Sequence, residues 1–249
     1  MQRNINSLIG YNMGATDGII GEVEDFYFDD ESWAIRYHIL KTGNWLSGRK
    51  VLISTSALEK TSWKMGFFPV NLTKEQIHSS PDIDTDKPVF RQHEKTLNDY
   101  YDWQNYWQDG FYLGGIWGTP PPDANRKGLN ARKNTEEQSR NDQHLRSCGQ
   151  VTGYHIHASD GDIGHVNDFI IDDETWQIKF IVADTHNWFG GKKVLIDVGH
   201  ITEVEWNNSK VFVDITIDSI KNSIEFDESK FIHPKTSKTV DADHDIRFE

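Results

Sequence analysis

The sequence contains one cysteine, Cys148, which excludes an intrachain disulfide framework and a cysteine-based zinc site. Its neighbours Ser147 and Gly149 provide no general base, so we interpret the thiol as unreactive. No apolar run approaches the about 20 residues that a membrane helix needs, and the first ten residues have no apolar signal core. We therefore expect a soluble, cytoplasmic protein without a transmembrane segment.

Positive charge is also scarce. The chain has 26 Lys and Arg against 39 Asp and Glu, a formal net charge of −13, and most of the acidic excess lies in residues 151–226. Binding to a phosphate backbone depends on a basic field, so a nucleic-acid partner is not expected. Familiar catalytic and nucleotide-binding patterns are absent too, including G-x-S-x-G, the P-loop and H-E-x-x-H. We predict no enzyme activity and no cofactor, and an enzyme would require an unfamiliar kind of site.

What the sequence does contain is an internal repeat. The stretch DGIIGEVEDFYFDDESW from Asp17 returns as DGDIGHVNDFIIDDETW from Asp160. A shift of 143 residues aligns residues 10–80 with residues 153–223 without a gap, and 28 of the 71 positions are identical. The identical positions are mostly residue types of turns and cores, which indicates a duplicated fold and not a duplicated active site.

Within each copy, the pattern predicts a small curled sheet. Asp17-Gly18 is a strong signal for a tight hairpin turn, and a change of phase near Gly21 predicts a β-bulge. A third strand follows with Trp33, Ile35, Tyr37 and Ile39 expected on one face, and Thr73 with Gln76 has the spacing of a helix capping box. Each copy is therefore predicted to be an antiparallel β-barrel of five or six strands that ends in a short helix.

The order of these elements resembles the PRC-barrel family. The matching pattern is G-Y-x₅-DG-x-IG-x-V-x-DF-x₂-DDE, then W-x-I, then NW-x₂-G-x-KVLI, in both copies. Members include the cytoplasmic part of the photosynthetic reaction-centre H subunit and the C-terminal domain of a ribosome-maturation factor. The resemblance implies a non-catalytic scaffold or adaptor that mediates protein assembly, with no catalytic residues to carry over. The reaction-centre subunit's membrane helix and the ribosomal factor's N-terminal domain have no counterpart in this sequence.

The acidic turn of each copy suggests an alternative function. Three carboxylates fall in one turn, and oxygen ligands of this kind bind Ca²⁺. The six residues are Asp29, Asp30, Glu31, Asp172, Asp173 and Glu174. Turn chemistry is the preferred interpretation, and a protein that binds a divalent metal or a small ligand, in these loops or between the barrels, is the alternative.

An aromatic-rich insert separates the two copies. Eight aromatic residues lie from Tyr100 to Trp117 inclusive, and Phe90, Leu97 and Tyr101 share one face of a predicted helix. The run is interpreted either as a docking surface or, preferably, as a clamp between the barrels. The candidate partner-binding residues are Trp103, Tyr106, Trp107, Phe111 and Trp117.

The predicted domain map follows from these segments. It comprises a first PRC-type barrel (1–80), the helical insert (81–118), a flexible linker (119–149), a second barrel (150–226) and a disordered tail (227–249). The partner is predicted to be a protein that the sequence does not identify, and a homo-oligomer is an open alternative. By default, we expect the two barrels to pair with each other as in a two-fold dimer.

Overall fold

The chain is mainly β. The computed structural model describes residues 1–61, 63, 66–82, 91–106, 145–185 and 191–231, and these form two sheets with a few short helices. The strands are β1 (Gln2–Asn4), β2 (Asn12–Ala15), β3 (Gly18–Asp29), β4 (Ala34–Lys41), β5 (Lys50–Ser54), β6 (Phe67–Pro69), β7 (Leu145–Ser147), β8 (His155–Ala158), β9 (Gly161–Asp172), β10 (Ile178–Asp184), β11 (Lys193–Asp197), β12 (Ile201–Glu205) and β13 (Lys210–Val213). The helices are α1 (Lys74–His78), α2 (Arg91–Tyr101), α3 (Cys148–Val151) and α4 (Ile217–Lys221).

The first sheet has the strand order β5-β4-β3-β2-β6, so that β6, the last of these strands along the chain, pairs with β2, the first of them. The pairing of β2 with β6 is parallel, which corrects the prediction of a wholly antiparallel barrel. A meander of five strands alternates in direction, so its first and fifth strands must run the same way when they meet. A bridge between Leu58 and Val70 joins the chain after β5 to the end of β6. The sheet therefore closes into a small barrel.

The second sheet repeats this arrangement in the order β11-β10-β9-β8-β13-β12. Strand β13 pairs with β8 in parallel, and β12 continues from β11 after the 3-10 turn Val198–His200. The prediction of two barrels from one duplicated unit is confirmed.

The β-bulge predicted near Gly21 is present. The register between β2 and β3 shifts after the pair Met13–Gly21. A Cβ atom on Gly21 would lie 2.3 Å from the Lys41 carbonyl oxygen, and one on Gly164 would lie 1.9 Å from the Asp184 carbonyl oxygen. Only glycine allows the two backbones to approach this closely, which explains why both copies keep it.

The hairpin at Asp17-Gly18 also exists, but its residues have other roles than predicted. Ala15 pairs with Gly18, so Thr16 and Asp17 form the turn. The Asp17 carboxylate accepts a hydrogen bond from the backbone N–H of Lys74 at 2.9 Å, and Asp160 does the same for Ile217 at 2.7 Å. This aspartate thus holds the start of the short helix that ends each copy. The capping box of Thr73 and Gln76 at α1 is confirmed.

One face predicted for β4 is divided between two environments. Ile35 points into the main core, whereas Tyr37 and Ile39 point outward into a second cluster under α2. A register shift between the pairs Tyr27–Tyr37 and Phe28–Ile35 breaks the alternation. The prediction that Trp33, Ile35, Tyr37 and Ile39 share a face is therefore wrong, because it assumed an unbroken period of two.

The structure also changes two predicted boundaries. Residues 145–149, assigned to the linker, begin β7 and α3, and residues 228–230 of the predicted tail form a 3-10 turn. Phe226 and Phe231 cover an outer apolar patch of the second barrel formed by Ile170, Val182 and Leu195. The remaining predicted linker and tail, 119–144 and 232–249, lie outside the described residues.

Candidate functional site

The two barrels are joined by exchanged strands. β1, which precedes the first barrel, pairs with β9 of the second, and β7, which precedes the second barrel, pairs with β3 of the first. The registers are equivalent: Arg3 lies opposite Ile171, and Arg146, 143 residues later, lies opposite Phe28. We call the region where the barrels meet the seam. Its pseudo-two-fold symmetry places the repeated DF and DDE motifs of each copy against the segment that comes from the other half of the chain.

The aspartate of the repeated DF motif fixes each exchanged segment. Asp168 accepts hydrogen bonds from the Asn4 amide at 2.9 Å and the Asn6 backbone at 3.1 Å. Asp25 correspondingly accepts the Ser147 hydroxyl and, at 3.0 Å, the Gly149 backbone N–H. Burial raises the pKa of both carboxyls, although the hydrogen bonds they accept oppose that rise. These carboxylates are engaged in holding the seam together.

An arginine, an aspartate and a tryptophan form a cluster at each end of the seam. Arg3 Nε lies 2.5 Å from Asp173 Oδ2, and the guanidinium lies 3.9 Å from the centre of the Trp63 ring. In the equivalent cluster, Arg146 Nε lies 2.8 Å from Asp30 Oδ2 and the guanidinium lies 3.8 Å from the centre of the Trp206 ring. Each cluster joins an exchanged strand to the acidic turn of the other copy.

The acidic turns are thereby accounted for within the fold. Asp29 accepts hydrogen bonds from the Ser32 backbone and hydroxyl, and Asp172 does so from Thr175 and the Glu174 backbone. Asp30 and Asp173 pair with arginines, and Glu31 and Glu174 are exposed. Among the residues that the structure describes, no three His, Cys, Asp or Glu side chains are grouped to hold a metal ion. A metal site at these turns stays a prediction from the sequence.

The middle of the seam is an aromatic core shared by both copies. The Ile35 N–H donates to the Trp176 carbonyl at 2.8 Å, and the Ile178 N–H donates to the Trp33 carbonyl at 2.8 Å. The single main core cluster contains residues of both barrels, so the two barrels are one folding unit.

His38 lies fully buried in this shared core. Its ring packs edge-on against Phe26, Phe68 and Trp176, with centroid distances of 4.9, 5.2 and 4.7 Å. Neither ring nitrogen makes a hydrogen bond of normal geometry. The nearby Ile53 backbone raises the pKa of His38, but this effect is smaller than that of burial. Burial lowers the pKa of His38 to about 3. The second copy has Ile181 at this position, so the histidine is a polar exception in an apolar site.

A cleft of about 470 Å³ opens along the seam on the side of the first barrel. It lies between β3, β4 and the segment from β7 to α3, so both copies contribute to it. Its apolar lining includes Ile5, Ile9, Ile39 and Leu145, and its polar lining includes Glu24, Asp25, Lys50, Arg146, Ser147, Gln150 and Thr152. Lys50 and Glu24 pair at 3.2 Å, and each is about two-fifths exposed at its side chain. Sequence reasoning named the space between the barrels as a possible ligand site but assigned none of the residues that line this cleft to it.

The described part of the aromatic insert packs on the outer face of the first barrel. Leu97 joins a buried cluster with Tyr37, Ile39, Leu52 and Leu145, and the last of these belongs to the exchanged strand β7. The described part of the insert therefore contacts the first barrel and the strand that the second half of the chain adds to it. The contacting face of α2 includes Leu97 and Tyr101, as the sequence indicated, and Phe90, predicted on the same face, lies outside the described residues.

Two of the five candidate partner-binding residues are described, and both are half-buried. Trp103 stacks on Tyr101 at a centroid distance of 4.3 Å. The Tyr106 hydroxyl donates to buried Glu94 at 2.9 Å, and the Arg36 guanidinium lies 3.9 Å from the centre of the Tyr106 ring. Trp107, Phe111 and Trp117 lie outside the described residues.

The lone cysteine is buried at the seam. Cys148 is 1% exposed, and burial raises the pKa of its thiol well above the usual value. A thiol in this environment is a poor nucleophile, in agreement with the unreactive role expected from the sequence.

Sequence reasoning missed the arginine clusters. Arg3 and Arg146 precede the segment that we aligned, and Trp63 and Trp206 were not singled out. The signal was nevertheless present, because Arg3 and Arg146, like the two tryptophans, are separated by the same 143 residues as the rest of the repeat.

The comparisons with known proteins agree with the geometry. The family model for the PRC-barrel domain matches residues 2–68 and 156–220, together more than half of the chain. No curated protein matches the chain. In the part of the chain that the structure describes, no helix is both long and apolar enough to cross a membrane.

Proposed function

Because this chain belongs to the PRC-barrel family, we propose that it is a non-catalytic scaffold that brings protein partners together on a rigid pair of barrels. The observation that carries the proposal is the use of the repeated polar residues. Asp25, Asp168, Asp30 and Asp173 all hold one copy to the other, so the duplicated signature serves assembly of the fold. The buried, high-pKa thiol of Cys148 also favours a role without covalent chemistry.

The proposed binding surface is the outer face of the first barrel at the aromatic insert. Tyr100 is 41% exposed there, and Trp103 and Tyr106 are half-buried. Tyr and Trp are enriched among binding hot spots, which favours this surface. Location in the cytoplasm and the identity of the partner stay predictions from the sequence.

The test separates the clamp role of the insert from the docking role. The bait is the full chain, compared with a Trp107→Ala/Phe111→Ala/Trp117→Ala variant and with Trp103→Ala. If the insert is a docking surface, we expect the triple variant to bind a partner, captured by the wild type and then purified, at least about tenfold more weakly, since interface hot spots often contribute about 2 kcal/mol or more. The melting temperature of the triple variant measures whether these side chains also stabilise the fold. Trp103→Ala is expected to lower stability by about 1–2 kcal/mol, because it loses half-buried packing.

Ile224→Ala serves as the control, since this apolar residue on the second barrel is 71% exposed and lies away from the insert. It should change neither melting nor partner binding. A partner whose affinity is the same for the triple variant, Trp103→Ala and the wild type would contradict the proposed surface.

The cleft along the seam supports a second candidate function, the binding of a small amphipathic ligand. A volume of about 470 Å³ falls within the range of small-molecule sites, and the lining combines an apolar wall with a few charged groups. The sequence suggested a protein that binds either a divalent metal or a small ligand, and among the described residues this cleft supports the small ligand.

Blocking the cleft tests this candidate. Thr152 is exposed and lines the cleft, so Thr152→Trp places a large ring in its opening. Small amphipathic molecules found by NMR titration of the wild type should lose at least about tenfold in affinity for Thr152→Trp, because the ring displaces them. Thr202→Trp is the matched control, as Thr202 is an exposed threonine of β12. Molecules that bind all three proteins equally would place their site elsewhere.

A further inference from the structure

The seam is a reciprocal interface, and its two sides belong to different halves of the chain. The first half supplies β1 to the second barrel, and the second half supplies β7 to the first barrel. We propose that the chain can exchange halves with a second copy of itself, giving a closed dimer with two seams. In that dimer, each first half pairs with the second half of the other molecule. This inference does not depend on the partner-binding role proposed above.

Every contact across the seam can form equally well between two molecules. The strand pairings are backbone hydrogen bonds in fixed register, and the arginine clusters join side chains from opposite halves. The covalent connection between the described halves runs through residues 107–144, between Tyr106 and Leu145. A chain of that length can reach well beyond one small barrel, so it does not force the two halves of one molecule to pair with each other.

The halves also have a strong reason to find a partner. The main core passes through the seam, where Phe26 lies against Trp176 and Phe28 lies against Phe169. A half that separates from its own partner exposes this apolar surface and two unpaired strand edges. It is then stabilised by any equivalent half, in its own chain or in another.

Concentration decides between the two arrangements. A tether of this length gives the halves an effective concentration of about millimolar or somewhat less. The wild type is therefore expected to be monomeric after refolding at micromolar concentration. A dimer should form when a substitution destabilises the closed monomer but not the exchanged dimer.

Charge reversal at one arginine cluster applies such a penalty. Chain X carries Arg3→Asp and chain Y carries Asp173→Arg, so each closed monomer places like charges together at a site where the two side chains are 3% and 5% exposed. In the exchanged X–Y dimer, the two substituted side chains meet at one seam, the new aspartate of X against the new arginine of Y. At the other seam, the unchanged Arg3 of Y meets the unchanged Asp173 of X. Both clusters then contain opposite charges.

The experiment mixes differently tagged full chains X and Y in denaturant and refolds them at micromolar concentration. We expect at least about half of the refolded protein to be an X–Y heterodimer, with twice the 28.8 kDa mass of one chain by light scattering. The matched control carries both substitutions in one chain, which restores opposite charges within the monomer. It should stay monomeric under the same conditions.

The outcome is decisive whether or not the first variants fold well. If the control folds but the mixture gives no heterodimer, half exchange is overturned. If the control does not fold, the same test is made with Arg146→Asp and Asp30→Arg, whose side chains are 14% and 15% exposed and tolerate rearrangement better. An absence of heterodimer there, beside a folded control, overturns the proposal equally.

Discussion

Replacing His38 with isoleucine is expected to stabilise the protein, and to stabilise it most at acid pH. The expected gain in the free energy of unfolding is about 1–2 kcal/mol at about pH 7.5, because two buried ring nitrogens without normal hydrogen bonds are removed. At about pH 4.5 the gain should increase by about a further 2–3 kcal/mol. Isoleucine is the natural choice, since Ile181 fills the equivalent position of the second barrel and is 1% exposed.

The pH dependence follows from the direction of the pKa shift. Burial among aromatic rings lowers the pKa of His38 from its usual 6.5 to about 3 in the folded protein. The unfolded chain therefore takes up a proton below pH 6.5, whereas the folded protein does so only near pH 3. The stability that neutral His38 permits is fully present above pH 6.5 and is lost progressively as the pH falls toward 3. Isoleucine has no proton to bind and removes this loss.

Urea unfolding of the wild type and of His38→Ile at about pH 7.5 and about pH 4.5 measures the effect. Asp25 and Asp168 titrate in both proteins, so their contribution cancels in the comparison. Ile181→His is the reciprocal control and should introduce an acid-dependent loss of stability into the second barrel. The interpretation fails if the stability difference between wild type and His38→Ile is the same at the two pH values.

The fold could be predicted from the sequence because its determinants are local. Gly21 and Gly164 mark the points where two backbones approach closely, and Thr73 with Gln76 marks the start of α1. Each signal determines structure within one copy of the repeat, and the glycine recurs 143 residues later. The parallel closure of β2 on β6 needed one further step, the counting of strand directions in a closed meander of five.

The exchange of strands could not be predicted in the same way. β1 and β7 are each only three residues long, and they pair through their backbones with β9 and β3. The two long strands β3 and β9 are identical at seven of their twelve positions, so the pattern does not distinguish pairing within a copy from pairing between copies. The prediction for the faces of β4 was wrong for a related reason. The register shift at Phe28 depends on the neighbouring strand β3 and cannot be recognised in the sequence of β4.

Removing the buried arginine of the seam is expected to have the largest destabilising effect. Arg3→Ala should lower the free energy of unfolding by about 2–3 kcal/mol, because it uncovers Trp63 and leaves buried Asp173 with only the exposed Met1 ammonium, 2.6 Å away, as a counter-charge. The equivalent Arg146→Ala should cost only about 1–2 kcal/mol. Its pair with Asp30 is longer, 2.8 Å against 2.5 Å, and its side chain is 14% exposed against 3%, so water screens the carboxylate that remains.

Comparison of the two variants by urea unfolding at about pH 7.5 tests the role of burial, since the clusters share the same three residue types and the Met1 ammonium beside Asp173 can only reduce the cost of Arg3→Ala. The double variant Arg3→Ala/Asp173→Ala should recover part of the loss, because it also removes the buried carboxylate that has lost its arginine. Equal costs for Arg3→Ala and Arg146→Ala, or no recovery in the double variant, would mean that the arginines act through packing on Trp63 and Trp206 alone. A larger cost at the more buried cluster would show that charge pairing across the seam holds the two copies together, which is the property on which a rigid two-barrel scaffold depends.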